Sequence, residues 1–199
     1  MESSQNGLKS GWSKFAAMHP KAAKWIREGG LFFLFSNLVT VLQYIMIQFL
    51  PYAFKNLASI GWSWPAIPVR LFGVDFIWNA VGYAVKLDAA GQVSVGGGLG
   101  YLVAYLIATF VAQCINFPLQ RNITFRSKGN VSYQVLWYLI AWVAITIVVN
   151  SINCVWVAVA STYMPDWLYN IGTTVLTGGI SMVIFFFVFR IIFPDGEKK

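Results

Sequence analysis

The sequence predicts an all-α integral membrane protein with four membrane-spanning helices. Of the 199 residues, 58% are hydrophobic and only 11% are charged, whereas soluble domains carry about 25% charged residues. The charges also leave four long gaps, at 29–54, 89–120, 129–165 and 167–189. Each gap is longer than the roughly 20 apolar residues that cross about 30 Å of hydrocarbon. Composition and charge spacing therefore both favour a membrane-embedded fold.

The gaps define the predicted elements in chain order. Lipid offers no hydrogen bonds, so a spanning segment must satisfy its own backbone, and continuous apolar runs do so as helices. We predict helices near 31–51, 98–119, 133–160 and 168–192 within one transmembrane domain, 31–193. A basic and aromatic tail, 1–30, precedes this domain, and a short tail, 194–199, follows it.

The N-terminal tail mixes basic and aromatic residues between 11 and 28. Pro20 is expected to open a short helix and Gly29-Gly30 to end it. A basic, amphipathic segment of this kind predicts an interfacial helix on the membrane surface. The alternative is a basic tail that only fixes the topology.

The segment 52–97 is a long loop between the first two predicted helices. Its part 67–85 is apolar enough to be a weak fifth candidate span, but Arg70, Asp75 and Asn79 interrupt it. A charge at the bilayer centre costs about 2.5–3.5 kcal/mol, and we therefore predict an interfacial helix here. The glycine-rich end of the loop is predicted to be a flexible linker.

Basic residues are distributed unequally between the two sides of this arrangement. One side carries eleven of the fourteen: Lys9, Lys14, Lys21, Lys24, Arg27, Arg121, Arg126, Lys128, Arg190, Lys198 and Lys199. The other side carries Lys55, Arg70 and Lys86. The positive-inside rule then predicts cytoplasmic termini and an external loop 52–97. The net charge of +7 indicates attraction to anionic membrane lipids and not to nucleic acid.

Polar residues recur at spacings of three and four in each predicted helix, which places them on one face. Examples are Asn37, Thr40, Tyr105, Thr109, Gln113, Asn116, Thr146, Asn150, Asn153, Thr177 and Ser181. Such faces avoid lipid and should turn inward. Two interpretations remain open for the first and third helices, namely polar helix packing and a polar path through the bundle. For the fourth helix packing is favoured.

The second helix ends in a motif that combines amides, an arginine and aromatic residues. Asn116 and Gln120 are one helical turn apart, and Arg121 follows at the predicted cytoplasmic boundary. There its guanidinium can reach a lipid phosphate, with Phe117 and Phe125 as apolar neighbours. The alternative is that Arg121 marks a cytoplasmic boundary like any other.

This motif resembles the signature of the GtrA-like family of small four-helix membrane proteins. Asn116, Phe117, Arg121 and Phe125 fit the family pattern, while Ile123 or Thr124 occupies the usual tryptophan position. The end of the fourth helix repeats part of the pattern with Arg190 and Phe193 and lacks the asparagine. The resemblance implies two helical hairpins related by a degenerate duplication. The loop 52–97 is longer than the family usually has.

The resemblance implies translocation of a polyprenyl-phosphate-linked sugar across a bacterial plasma membrane. The sugar would serve glycosylation of a cell-surface polysaccharide or teichoic acid by a separate membrane-bound glycosyltransferase. Arg121, Arg126 and Arg190 would collect the phosphate, near Phe117, Gln120 and Phe125. The sugar path would be lined by Asn37, Gln43, Asn116, Asn150 and Asn153. The small bundle favours a homodimer.

No pattern in the sequence indicates an enzyme, a metal site or a cofactor. The single histidine, His19, lies in the tail, and the acids are terminal (Glu2, Glu28, Asp195 and Glu197) or isolated on the external side (Asp75, Asp88 and Asp166). The absence of an acid within the predicted spans argues against a proton-coupled drug exporter. The main alternative to a transporter is a non-catalytic anchor or partner subunit of a polyprenyl-phosphate glycosyltransferase.

Overall fold

The computed structural model describes residues 11–194. Within this range four helical spans are long and apolar enough to cross a membrane, as the sequence predicts. The first three are α1 (Pro20–Ala53), α2 (Gly98–Pro118) and α3 (Val131–Tyr163), and the fourth joins α4 (Asp166–Thr174) to α5 (Ser181–Ile192). Two π-helical turns, Leu119–Thr124 after α2 and Val175–Ile180 between α4 and α5, keep these spans continuous.

The first helix begins earlier than predicted. Residues 11–18 form a separate helical segment that ends before His19, and α1 starts at Pro20. The prediction that Gly29-Gly30 would end a short helix is wrong, because α1 runs through both glycines to Ala53. A glycine costs a helix only about 1 kcal/mol, whereas a broken backbone beside lipid leaves polar groups unpaired. Residues 20–30 therefore belong to the first span.

The long loop contains β-structure, and the predicted interfacial helix at 67–85 is wrong. Strands β2 (Ile67–Leu71) and β3 (Val74–Trp78) pair in antiparallel register. β1 (Trp62–Trp64) pairs with β4 (Val81–Tyr83), and β5 (Lys86–Leu87) pairs with β6 (Val93–Ser94). The segment 67–85 is rich in β-branched and aromatic residues, which favour strands. The β2–β3 turn has positive φ at both Phe72 and Gly73, as a tight two-residue hairpin turn requires.

The glycine-rich end of the loop is packed against its neighbours, and the prediction of a flexible linker there is wrong. Gly98 has φ +67°, and a Cβ on it would overlap the carbonyl of Ala58. A Cβ on Gly100 would in turn overlap the carbonyl of Phe54. These glycines allow the start of α2 to lie directly against the end of α1. The loop is thereby fixed to the bundle.

A cluster of aromatic rings closes one end of the bundle. Its buried members come from α1, from the segment after α2, from α3 and from the region of α5: Phe32, Phe125, Tyr138, Phe189 and Phe193. The largest overlap is the stacking of Tyr138 on Phe189, at 4.5 Å between ring centroids. We call this the basic end, because Arg121 and Arg190 lie beside the cluster. The β-strands contact α2 and α3 at the opposite end, which we call the loop end.

Candidate functional site

Polar residues from all four spans line one half-open cavity between the helices. This central cavity has a volume of about 540 Å³, within the range of about 300–1,000 Å³ that small-molecule sites occupy. Its polar lining residues are Ser36, Asn37, Thr40, Gln43, Tyr105, Thr109, Gln113, Asn116, Thr146, Asn150 and Ser181. Among the described residues no charged side chain lines it. The cavity therefore offers amides and hydroxyls to a ligand without offering a counter-charge.

Part of this polar lining is already engaged within the protein. Gln43 donates to the Thr109 hydroxyl at 2.9 Å, which joins α1 to α2. Thr109 donates in turn to the carbonyl of Tyr105, and Asn37 donates to the carbonyl of Phe33 in its own helix. Asn150 makes no side-chain hydrogen bond to any other described residue, so its whole amide is available at the cavity wall. The cavity combines fixed polar groups with unengaged ones.

A hydrogen-bonded chain of side chains connects the cavity to the basic end. Asn116 lines the cavity and donates to the Tyr138 hydroxyl at 3.0 Å, and Tyr138 donates to Gln113 at 2.6 Å. Gln120 donates to Asn116 at 3.0 Å and is fully buried. The amide positions of the motif therefore face inward. Tyr138, which sequence reasoning missed, is the centre of this network because its phenol both accepts and donates.

Arg121 organises the turn between α2 and α3. It donates through Nε to Gln134 Oε1 at 2.7 Å, through Nη1 to Asn122 and through Nη2 to the carbonyl of Gly129. Gln134 then donates to Ser127, which donates to the carbonyl of Pro194. A guanidinium has five N–H groups, of which three are used here and two remain. Arg121 is half-buried, and its two remaining N–H groups can donate to an anion.

The other motif residues at the basic end differ in exposure. Phe125 is buried and packs 5.7 Å from the ring of Phe193, and Phe117 packs on Tyr138 and Phe193. These rings belong to the aromatic cluster of the bundle. Arg126 is exposed, with a backbone φ of +50°. Its side chain is a surface cation near the turn that Arg121 organises.

Arg190 lies in an ion pair that was not predicted. Its Nη1 is 3.1 Å from Oε2 of Glu28, whose side chain is 1% exposed, and its guanidinium lies 3.6 Å above the ring of Trp25. Lys24 lies on the other side of the carboxylate at 3.9 Å. Glu28 was grouped with the terminal acids, yet it is buried between α1 and α5. The sequence gives one signal for this pair. Glu28 stands at the start of the first apolar run, and Arg190 stands at the end of the last apolar run.

Comparisons with protein-family models, curated proteins and solved structures give no match for this chain. The resemblance to the GtrA-like family therefore depends on the motif around Asn116 and Arg121 and on the four-helix pattern. Of the residues predicted for the sugar path, Asn37, Gln43, Asn116 and Asn150 line the central cavity. Asn153 lines a second cavity at the loop end.

The Glu28–Arg190 pair should contribute measurably to stability. Removing one partner leaves the other partly buried charge with a weaker partner, namely Lys24 for Glu28 and the Trp25 ring for Arg190. A double-mutant cycle of Glu28→Gln and Arg190→Gln, followed by unfolding of the purified protein in detergent, should give a coupling of about 1–3 kcal/mol.

The chain supplies a matched control in Arg70 and Asp75, which lie 3.7 Å apart with both side chains 74% exposed. An exposed pair of this kind should couple by about 1 kcal/mol or less. Equal coupling in the two cycles would mean that burial of Glu28 does not strengthen its pairing with Arg190.

Proposed function

We propose that this protein translocates a polyprenyl-phosphate-linked sugar across a bacterial plasma membrane. The observation that carries this proposal is the central cavity, which is lined by amides and hydroxyls from all four spans. An unpaired hydroxyl costs several kcal/mol on transfer into hydrocarbon. Asparagine and glutamine side chains replace the water around a sugar because each has both donors and an acceptor. The cavity thus lowers the cost of crossing for a head group rich in hydroxyls.

The charge distribution supports a division of the ligand between two environments. The central cavity has no charged lining residue among those described, and a lone phosphate there would have no counter-charge. The basic end carries Arg121 with two N–H groups available, together with the exposed Arg126 and Lys128. The phosphate therefore starts at the basic end, the sugar enters the cavity, and the isoprenoid chain remains in lipid. Arg190, which is paired with Glu28, has less capacity for the phosphate than Arg121.

The proposal includes an orientation and an arrangement of the spans. The unequal distribution of basic residues supports a cytoplasmic basic end, with both termini inside and the loop end outside. Contacts between α1 and α2, and between α3 and α5, support two helical hairpins. The GtrA-like motif supports a separate glycosyltransferase as the acceptor of the sugar outside. A second copy of the chain would enlarge this small bundle.

The orientation can be tested with single cysteines in a background that lacks Cys114 and Cys154. Gln92→Cys lies in the loop and Lys128→Cys in the turn after α2, and both native side chains are exposed. An impermeant thiol reagent added to intact cells should label the first position and spare the second. Labelling of position 128 alone would reverse the proposed orientation.

Ligand binding tests the function itself. The affinity of the purified protein for short-chain polyprenyl-phosphate hexoses should fall for Arg121→Gln, since a hydrogen bond to a charged group contributes roughly 1.5–3 kcal/mol. Arg121→Lys keeps the charge and loses the planar fork, and it should bind with intermediate affinity. Asn150→Leu should weaken binding by removing an unengaged amide from the cavity.

Ile152→Leu is the matched control in α3, because Ile152 is 50% exposed and does not line the central cavity. It should bind like the parent protein. Unchanged affinity in both Arg121 variants, together with lower thermal stability, would assign Arg121 to the turn alone. If the parent binds none of these lipids, the translocation proposal fails and a non-catalytic anchor for a glycosyltransferase becomes the better account.

A further inference from the structure

The β-structure of the loop borders a second, half-open cavity at the loop end of the bundle. This loop cavity has a volume of about 390 Å³, also within the range of small-molecule sites. Its wall combines the segment around β4, which supplies Asn79 and Tyr83, with Tyr105 of α2 and with Asn150, Asn153 and Cys154 of α3. The cavity exists because the loop folds back onto α2 and α3.

The loop cavity adjoins the central cavity. Tyr105 and Asn150 line both of them and therefore form the boundary between the two. The unengaged amide of Asn150 can therefore hydrogen-bond to a ligand in either cavity. A group that leaves the central cavity towards the loop end reaches Asn153 next, one helical turn along α3.

Some polar atoms of the loop cavity have no hydrogen-bond partner among the described residues. The Oδ1 atom of Asn153 is fully buried and accepts no hydrogen bond from any described residue. Leaving such an acceptor unpaired costs about 1–3 kcal/mol, and a rotation of the Asn153 amide that turns this oxygen towards the cavity would let a ligand hydroxyl donate to it. Asn79 makes one long contact of 3.5 Å to the carbonyl of Ile77, and its own carbonyl oxygen remains available. These acceptors point to a ligand with hydroxyl or amide donors.

The aromatic part of the wall suits an uncharged ring. Tyr83 packs on Tyr101 and Tyr105 at 4.8 and 5.9 Å between ring centroids. Burial, reinforced by the neighbouring Tyr105 and Tyr101, raises the pKa of the Tyr83 phenol above its ordinary value, which keeps it neutral. No charged side chain of the described chain lines this cavity. The aromatic rings present an apolar surface, and the neighbouring amides present hydrogen-bonding groups. A pyranose has an apolar face and hydroxyl groups, and this wall can contact both.

We propose that the loop cavity is a binding site for the neutral saccharide head group, occupied after the central cavity. The proposal rests on the translocation function and extends it to an exit site built by Asn79, Tyr83 and Asn153. A head group bound there lies under the β-structure at the loop end. From this position it can be passed to an acceptor on that side of the membrane.

The native Cys154 provides a reporter for this site. It lines the loop cavity and is half-buried, and Cys114→Ala removes the exposed second cysteine. The protein in nanodiscs would be treated with a small neutral methanethiosulfonate in the presence of methyl glycosides of glucose, galactose, mannose and N-acetylglucosamine. At least one glycoside should slow the modification of Cys154 several-fold. Asn153→Ala should weaken this protection by up to about tenfold, as loss of one hydrogen bond does.

Two further variants test whether the loss of protection is specific to residues that line the loop cavity. Asn79→Ala should also weaken protection, which covers the case in which Asn153→Ala does not fold. Asn56→Ala changes an exposed asparagine that does not line the cavity and should behave like the parent. Equal protection in the Asn153, Asn79 and Asn56 variants would overturn the proposal.

The remaining outcomes separate this site from the translocation function. If no glycoside protects Cys154 while lipid-linked sugars still bind and cross, the loop cavity is not a saccharide site and translocation stands. If glycosides protect Cys154 but no lipid crosses, the saccharide site stands and translocation fails. A Cys154 that never reacts would also contradict the proposal, because a cavity that admits a sugar must admit the smaller reagent.

Discussion

Hydrocarbon offers no hydrogen-bond partner to a polar side chain, and the arrangement of this bundle follows from that constraint. Each span carries a face of amides and hydroxyls that would be costly in contact with lipid. Residues from all four faces line the central cavity, although Asn37 and Thr40 of α1 are also exposed. Residues such as Leu38 and Ile152 lie on the outside. The polar groups are too numerous to pair fully among themselves, as Asn150 shows. The central cavity is the space that their mutual orientation leaves.

The two ends of the bundle differ in the groups that lie beside the central cavity. At the basic end, aromatic rings from every span pack into a buried cluster. Beside this cluster the Glu28–Arg190 ion pair joins α1 to α5. At the loop end, β-hairpins border a second cavity in which Asn153 Oδ1 has no hydrogen-bond partner among the described residues. The basic end is thus packed through its own contacts, whereas the loop end has an unpaired acceptor in Asn153. In the proposed function a head group would be received at the basic end and released at the loop end. The neutral lining makes passage of the phosphate the most costly part of such a crossing.

The spans could be predicted from the sequence because each depends on a local property, a long apolar run without charge. The loop could not, since in the sequence Arg70 and Asp75 interrupt an apolar segment, whereas in the fold they face each other across β2 and β3. The turn between these strands places Phe72 at positive φ, and phenylalanine gives no turn signal. The pairing of Glu28 with Arg190 joins opposite ends of the chain and has no local signature. The inward amides were predicted by their spacing, but only tertiary structure separates them into two cavities.

The proposed function is the movement of a lipid-linked head group across the membrane. The most direct measurement is translocation of such a lipid by the purified protein alone. Purified protein would be reconstituted into liposomes with fluorescent short-chain polyprenyl-phosphate hexoses, and the fraction reaching the opposite leaflet would be followed by quenching from one side. We expect at least one of these lipids to cross faster than in protein-free liposomes, and to cross more slowly with Asn150→Leu than with Ile152→Leu. Equal rates with and without protein would contradict it.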